Sequence, residues 1–237
     1  MIRVAAVGDV HLGEGTSGCY ADDVDALAGT ADVLLLAGDL TRHGTAVEAK
    51  IVAQEFGAAP VPVVAVLGNH DFHGDDPEGV TAALTEAGIT VLECSGTVLE
   101  LDGTRLGVAG TVGFGGGFAG GTVADFGERE MKDFAARSRR LAAGLGDALT
   151  ALDCDVRVAL THYAPVPDTL EGEPREIYPF LGSHLLADVI DSCDVALALH
   201  GHAHAGSHEG RTPGGVPVRN VARPLIRVPF CLLEVGT

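Results

Sequence analysis

The chain contains no tryptophan, two methionines and two lysines, Lys50 and Lys132. So few lysines within a formal net charge of −18 exclude a general nucleic-acid binder, because such binding depends on Lys and Arg neutralising phosphates. The acidic excess reads as a solvated surface and makes a polyanionic polymer a poor substrate. Long hydrophobic runs are also missing. None approaches the roughly 20 residues needed to cross a bilayer. The longest, such as Val33–Ala37 and Val195–Leu199, have strand length. The start, Met1-Ile2-Arg3 followed by a strand, leaves no room for a secretory leader. A cytoplasmic protein without a membrane partner is expected. The five cysteines are odd in number and show no Cys-x-x-Cys spacing, which argues against a disulfide framework and points to a reducing compartment. Cys94, Cys154, Cys193 and Cys231 lie in or beside apolar stretches and read as small buried hydrophobes, whereas Cys19 lies in a polar loop. No Pro/Gly/Ser linker separates the apolar segments, so residues 1–237 read as a single domain. The 46% hydrophobic content is enough for one substantial α/β core.

Against these absences stand five short polar motifs, each at the end of an apolar, strand-like run. They are Asp9-Val10-His11, Gly38-Asp39, Gly68-Asn69-His70-Asp71, Thr161-His162 and Gly201-His202-Ala203-His204. Asp9 to Asp39 spans 30 residues, and Asp39 to Asn69 another 30. A strand, a crossover helix and the next parallel strand occupy roughly 30 residues. The spacing therefore returns one polar motif to the same sheet edge per βαβ unit. Strands are predicted at Ile2–Val7, Val33–Ala37 and Val61–Leu67, with helices over Asp22–Leu27, Thr45–Phe56 and Pro77–Ala87. This alternation predicts parallel strands with covering helices. The stretch Thr97–Leu101, Asp102-Gly103, Thr104–Ala109 predicts a hairpin. Glu128–Leu152 reads as a long helical stretch interrupted near Gly144 and Gly146. Strands are predicted again at Val156–Leu160, Val195–Leu199, Val216–Asn220 and Phe230–Val235.

The residue types suit a metal site. In extended chain, positions i and i+2 face the same side, so Asp9 and His11 can reach one ion, as can His202 and His204. Asp39 offers two oxygens, enough to bridge two cations. Asn69 adds a neutral carbonyl oxygen and His162 an imidazole. Mixed His, Asp and Asn ligation suits Mn, Fe or Zn better than Ca. Two such ions roughly 3.5–4 Å apart can hold a bridging hydroxide and stabilise in-line phosphoryl displacement. A lone His after a strand or a Gly-Asp turn is usually a plain surface feature. The weight comes from five such motifs in sequence.

In that order, the motifs resemble those of the calcineurin-like metallophosphoesterase superfamily, from residue 9 to residue 204. The resemblance implies a four-layer α/β/β/α sandwich with two mixed sheets and a dinuclear centre. One divalent transition-metal ion would take Asp9, His11, Asp39 and His204; the other would take Asp39, Asn69, His162 and His202. His70 would stand near the scissile phosphate and protonate the leaving oxygen. Asp71 would hydrogen-bond His70 and set its tautomer and pKa.

The chain departs from the family's protein phosphatases at His43, which stands where they carry a phosphate-gripping Arg; Arg42 is the nearest substitute. Dianionic monoesters favour bidentate Arg clamps. The small Gly-Asp-Leu-Thr and Gly-Asn-His-Asp forms are closer to the superfamily's small bacterial phosphodiesterases. A phosphodiesterase acting on a small phosphate ester is therefore expected, ahead of a small-molecule phosphomonoesterase. A non-catalytic scaffold of the same fold would be expected to have lost a ligand position or His70, and none is lost. A mononuclear zinc hydrolase leaves Asn69 and Asp39 without a role. Gly113–Gly121 lacks the Lys-Ser/Thr of a P-loop and reads as either a lid or a plain loop. Tyr163 lines the pocket or packs beside it, His200 is supporting, and His73, His184 and His208 read as surface residues.

Overall fold

The computed structural model describes residues 1–236. The first half is the expected alternation: β1 (Ile2–Val7), α1 (Ala21–Asp25), β2 (Val33–Ala37), α2 (Ala46–Phe56), β3 (Val63–Val66), α3 (Pro77–Glu86) and β4 (Thr90–Val91). Local chemistry sets the helix starts. The Thr45 hydroxyl accepts the Glu48 N–H at 3.2 Å ahead of α2. The Asp76 carboxylate accepts the Gly79 N–H at 3.0 Å ahead of α3, whose first residue is Pro77. The second half runs β5 (Ser95–Leu101), β6 (Thr104–Thr111), β7 (Gly117–Phe118), β8 (Gly121–Thr122), α4 (Arg129–Ala151), β9 (Val156–Thr161), α5 (Tyr178–Leu181), α6 (His184–Asp191), β10 (Leu197–His200), β11 (Glu209–Arg211), β12 (Pro217–Asn220), α7 (Arg223–Ile226) and β13 (Cys231–Val235). The β5–β6 turn places Asp102 at φ 47° and Gly103 at φ 80°, the positive pair that a two-residue hairpin turn needs.

Two sheets result. The first has the order β13-β1-β2-β3-β4, with β1 to β4 parallel and β13 antiparallel to β1. The second has the order β11-β12-β10-β9-β6-β5, parallel across β12, β10, β9 and β6, with antiparallel strands at both edges. Alternate residues divide each strand between two faces. Val4, Ala6, Leu35 and Val64 from the first sheet meet Val108, Val158, Leu160 and Leu199 from the second. The opposite face of the first sheet, including Val7, Leu34, Leu36 and Ala65, packs on Val52, Phe56, Val80 and Leu84 of α2 and α3. The opposite face of the second sheet packs on Leu141, Leu145 and Leu149 of α4 and Leu186 and Ile190 of α6. These are the four layers α/β/β/α. Each fully buried Val or Leu contributes about 1.5–3 kcal/mol.

Two sequence expectations change. Helix α4 runs unbroken for 23 residues through Gly144 and Gly146. Its glycines serve packing rather than termination: a Cβ on Gly144 would lie 2.5 Å from Cys94 Sγ, and one on Gly146 3.3 Å from Val189. Cys94, Cys154, Cys193 and Cys231 are half-buried rather than buried, and all five cysteines are free. Among the described residues, no helix is long and apolar enough to cross a membrane.

Candidate metal centre

Strands β1, β2 and β3 end at one edge of the first sheet, and β9 and β10 end beside them on the second. The loops that follow carry the polar motifs. Backbone bonds lock two of these loops together: Asp9 N–H donates to the Gly38 carbonyl at 2.9 Å, and His11 N–H to the Asp39 carbonyl at 3.0 Å. The loops are not extended. Asp9 (φ 58°), His11 (φ 44°), Asp39 (φ 51°) and His202 (φ 69°) all occupy the left-handed region. Non-glycine residues rarely adopt it, and strain of this kind gathers at functional sites. The i, i+2 pairs therefore meet through tightly curled backbone, not through strand alternation as expected from the sequence.

Close approach requires glycine at two points. Gly38 sits at φ 82°, and a Cβ there would lie 2.6 Å from His162 Nδ1. A Cβ on Gly68 would collide with the backbone nitrogen and carboxylate of Asp39.

The seven expected ligands converge in two groups. Asp9, His11, Asp39 and His204 each offer one ligand atom, and these atoms lie within 4.8 Å of one another. Asp39, His162 and His202 satisfy the same limit. Asn69 joins the second group, with Oδ1 2.9 Å from His162 Nε2. Asp39 belongs to both groups, its Oδ2 3.8 Å from His11 Nε2 and its Oδ1 3.4 Å from His162 Nε2. Supporting bonds fix the ligand planes. His162 Nδ1 donates to the Ala37 carbonyl at 2.8 Å, which leaves Nε2 facing Asn69. The Asp9 carboxylate accepts the His202 N–H at 2.9 Å and contacts His204 Nε2 at 2.9 Å. Asp39 Oδ1 accepts the His70 N–H at 2.8 Å.

Electrostatics favour a cation here. Asp9 and Asp39 are 2% and 1% exposed, and no Lys or Arg forms an ion pair with either among the described residues. Buried carboxylates lacking a cationic partner are costly. Burial, reinforced by the neighbouring His162, pushes His202 down to about 3, so its imidazole is neutral at pH 7. Burial also lowers His11, with Asp39 opposing. His204 is raised by its hydrogen bond to Asp9. Burial raises Asp9, but the His204 bond and the nearby imidazoles outweigh it, and the carboxyl lies below its ordinary value. Two carboxylates, four imidazoles and one amide oxygen form a donor set that fits divalent transition-metal ions.

His70 stands at the mouth of this cluster, its ring 4.4 Å from that of His11. The expected Asp71–His70 bond is not formed. His70 Nδ1 instead bonds the Arg42 carbonyl at 2.9 Å. The fully buried Asp71 carboxylate accepts from Leu40 N, Thr41 N, Thr41 Oγ1 and Gly68 N at 2.6–3.1 Å. It knits the loops after β2 and β3 together. Burial raises its pKa, against the pull of its Thr41 bond. His43 turns to Glu48, with its backbone N–H at 2.7 Å and Nδ1 at 2.8 Å from the carboxylate. Arg42 is exposed. His200 is buried between Thr169 Oγ1 and the Gly201 carbonyl, both at 2.7 Å. His184, expected at the surface, is half-buried, with Nδ1 3.1 Å from the Gly117 carbonyl. Most of Gly113–Gly121 is buried, and it includes part of the β7–β8 hairpin.

A cleft beside Asn69 was not foreseen. It is lined by Phe72, Phe114, Arg137 and Tyr163, and the Tyr163 ring lies 4.4 Å from that of His202. Burial and the Asp39 charge push the Tyr163 phenol up to about 12, so it remains a neutral donor. The overlooked residue is Arg137. Its place on α4, three residues after Phe134 and four before Leu141, puts a cation on the helix's apolar stripe, and that spacing was the available signal.

Among solved structures, the fold is similar to a phosphopantetheinyl hydrolase from Mycobacterium tuberculosis, with TM-score 0.69 and 15% identity over 97% of this chain and 95% of that one. It is similar to the protein TT1561 of Thermus thermophilus, with TM-score 0.54 and 19% identity over 99% and 98%. It also resembles a putative 5′-nucleotidase from Staphylococcus aureus, with TM-score 0.58 and 15% identity over 92% of this chain and 48% of that one. At these identities the likeness is one of fold. No curated protein matches the sequence. The profile of the calcineurin-like phosphoesterases matches residues 2–206. With its ligand-type residues gathered at adjoining sheet edges, the chain belongs to the calcineurin-like phosphoesterase family.

Proposed function

We propose that the chain is a metal-dependent phosphoric ester hydrolase with a two-ion centre, and that its preferred substrates are phosphodiesters. The observation that carries this reading is the sharing of Asp39 between two ligand clusters, one with Asp9, His11 and His204, the other with His162, His202 and the Asn69 oxygen. When bound, the ions would polarise a phosphoryl oxygen and lower the pKa of a water nucleophile. The protein does the rest. Asp39 directs one oxygen towards each cluster, and the His70 N–H fixes its carboxylate plane. His70 is the proton donor to the leaving oxygen. Its Nδ1–H is committed to the Arg42 carbonyl, so Nε2 is the atom that gains and delivers the proton.

The preference for diesters rests on the rim. The position of a bidentate Arg clamp holds His43, which is engaged by Glu48. A dianionic monoester would miss that clamp. The test is hydrolysis by Mn-, Fe- and Zn-loaded protein of a bis-aryl diester, an aryl monoester, cyclic nucleotides and a phosphopantetheinyl ester. The last enters because one fold relative carries that name. The diesters are expected to show the higher kcat/KM. Faster monoester turnover overturns the diester preference, and turnover of none with ions bound supports a scaffold of the same fold.

A further inference from the structure

Arg137 is the one residue among those described with a buried side-chain nitrogen or oxygen, its Nε, that has no hydrogen-bond partner. Of the other arginines of α4, Arg129 pairs with Asp133 at 3.7 Å and Arg139 with Asp125 at 2.6 Å, while Arg140 is exposed. Arg137 pairs with no carboxylate among the described residues, in a chain where acids outnumber Lys and Arg by 33 to 15. Its guanidinium is instead held by aromatic faces. Cζ lies 4.8 Å from the Phe114 ring centroid and 5.8 Å from that of Phe72. Stacking fixes the plane of a guanidinium and leaves its terminal N–H groups to take an oxyanion.

Arg137 also lines the cleft beside the metal centre, a space of about 480 Å³ that it shares with Asn69 and Tyr163. Asn69 contacts His162 at 2.9 Å, and the Tyr163 ring lies between those of His202, at 4.4 Å, and Phe114, at 5.8 Å. A continuous aromatic wall thus leads from the second ligand cluster to the guanidinium. Asp75 and Glu78 also line the cleft. Their charge disfavours an extended polyanion and leaves Arg137 as the cationic position at which a compact anionic group would sit.

We propose that Arg137 is a specificity residue, recognising a second anionic group, a carboxylate or a phosphate, on the substituent of an ester whose scissile phosphate lies at the metal centre. The subsite rests on the phosphoesterase reading.

Inhibition of bis(4-nitrophenyl) phosphate hydrolysis by Mn²⁺-loaded protein tests the assignment. Methylphosphonate carries one anion. Phosphonates bearing a terminal carboxylate on two- to four-carbon linkers carry a second, and bisphosphonates of the same lengths separate the two sources of that charge. The best linker is expected to inhibit about tenfold more tightly than methylphosphonate, the scale of one charge-assisted hydrogen-bonded contact. Arg137→Met keeps the apolar contact with Phe114 and is expected to reduce the gain to under about twofold, with Arg137→Lys intermediate. Absence of any gain in the wild type overturns the proposal. So does a gain that survives in Arg137→Met, which would assign it to metal chelation. Should Arg137→Met not fold, Arg137→Lys carries the comparison. Should the wild type turn over no diester, the diester preference fails by itself. Calorimetric binding of the same compounds to wild type and variant then still decides the subsite.

Discussion

At the residue scale, Asp39 and His70 stand side by side and have separable roles. Asp39→Asn removes the charge that serves both clusters, so metal content and turnover are expected to fall together. Full metal loading at a normal rate would refute the sharing. His70→Ala leaves the ligand set intact. Both ions should be retained while kcat falls by about 10²–10⁴-fold, most steeply for poor leaving groups. Asp71 provides a sharper discrimination. Its carboxylate holds Leu40, Thr41 and Gly68, not the His70 ring. Asp71→Ala leaves buried donors unmatched and is expected to cost about 3 kcal/mol in chemical denaturation. Asp71→Asn should lower Tm yet leave the acidic limb of the kcat/KM–pH profile in place. A shifted limb would restore Asp71 to the tuning role that its neighbour in sequence suggested. The motif was legible because residue types and order are local information. The bond inside it was not, because three of the four donors to Asp71 come from Leu40 and Thr41, in a loop about 30 residues away.

At the scale of elements, the first three strands were readable almost to the residue. Each is a short apolar run, buried on both faces, ending in a polar motif. The strands β4, β7, β8 and β11 are two or three residues long and carry no periodicity to read. Helix α4 differs from the sequence expectation at its glycines. In an exposed helix, Gly→Ala stabilises by roughly 1 kcal/mol. Gly144→Ala should do the reverse, because the new methyl meets Cys94, and a loss of about 1–3 kcal/mol in urea unfolding is expected. A stabilised variant would mean that α4 does not approach the β4–β5 connection this closely. Arg137 in the same helix is marked only by its spacing from Phe134 and Leu141. Arg139 and Arg140 follow it, and composition alone does not say which arginine turns inward.

At the scale of the molecule, two sheets packed face to face bring the ends of β1, β2, β3, β9 and β10 to one place. The fold class was legible because the βα alternation and the hairpin each announce part of a sheet. The cleft was not, since it is made where Phe72, Phe114, Arg137 and Tyr163 converge from distant segments. Stability away from the site has its own pH signature. The Arg3 hydrogen bond holds the Asp32 carboxyl below its ordinary value of 3.8. A depressed folded pKa contributes stability above the unfolded pKa and loses it as pH falls through the folded one. Asp32→Asn should therefore lower Tm at pH 7, and the difference from wild type should shrink as pH falls below the ordinary carboxylate value. A difference that persists in acid would mean that packing, not charge, is responsible.

The central claim is one carboxylate serving two ions, and metal stoichiometry tests it most directly. Metal-free protein titrated with Mn²⁺, with bound equivalents and diester turnover followed together, is expected to bind two ions per chain and to reach full activity only with the second. Full activity at a single bound ion would contradict the account.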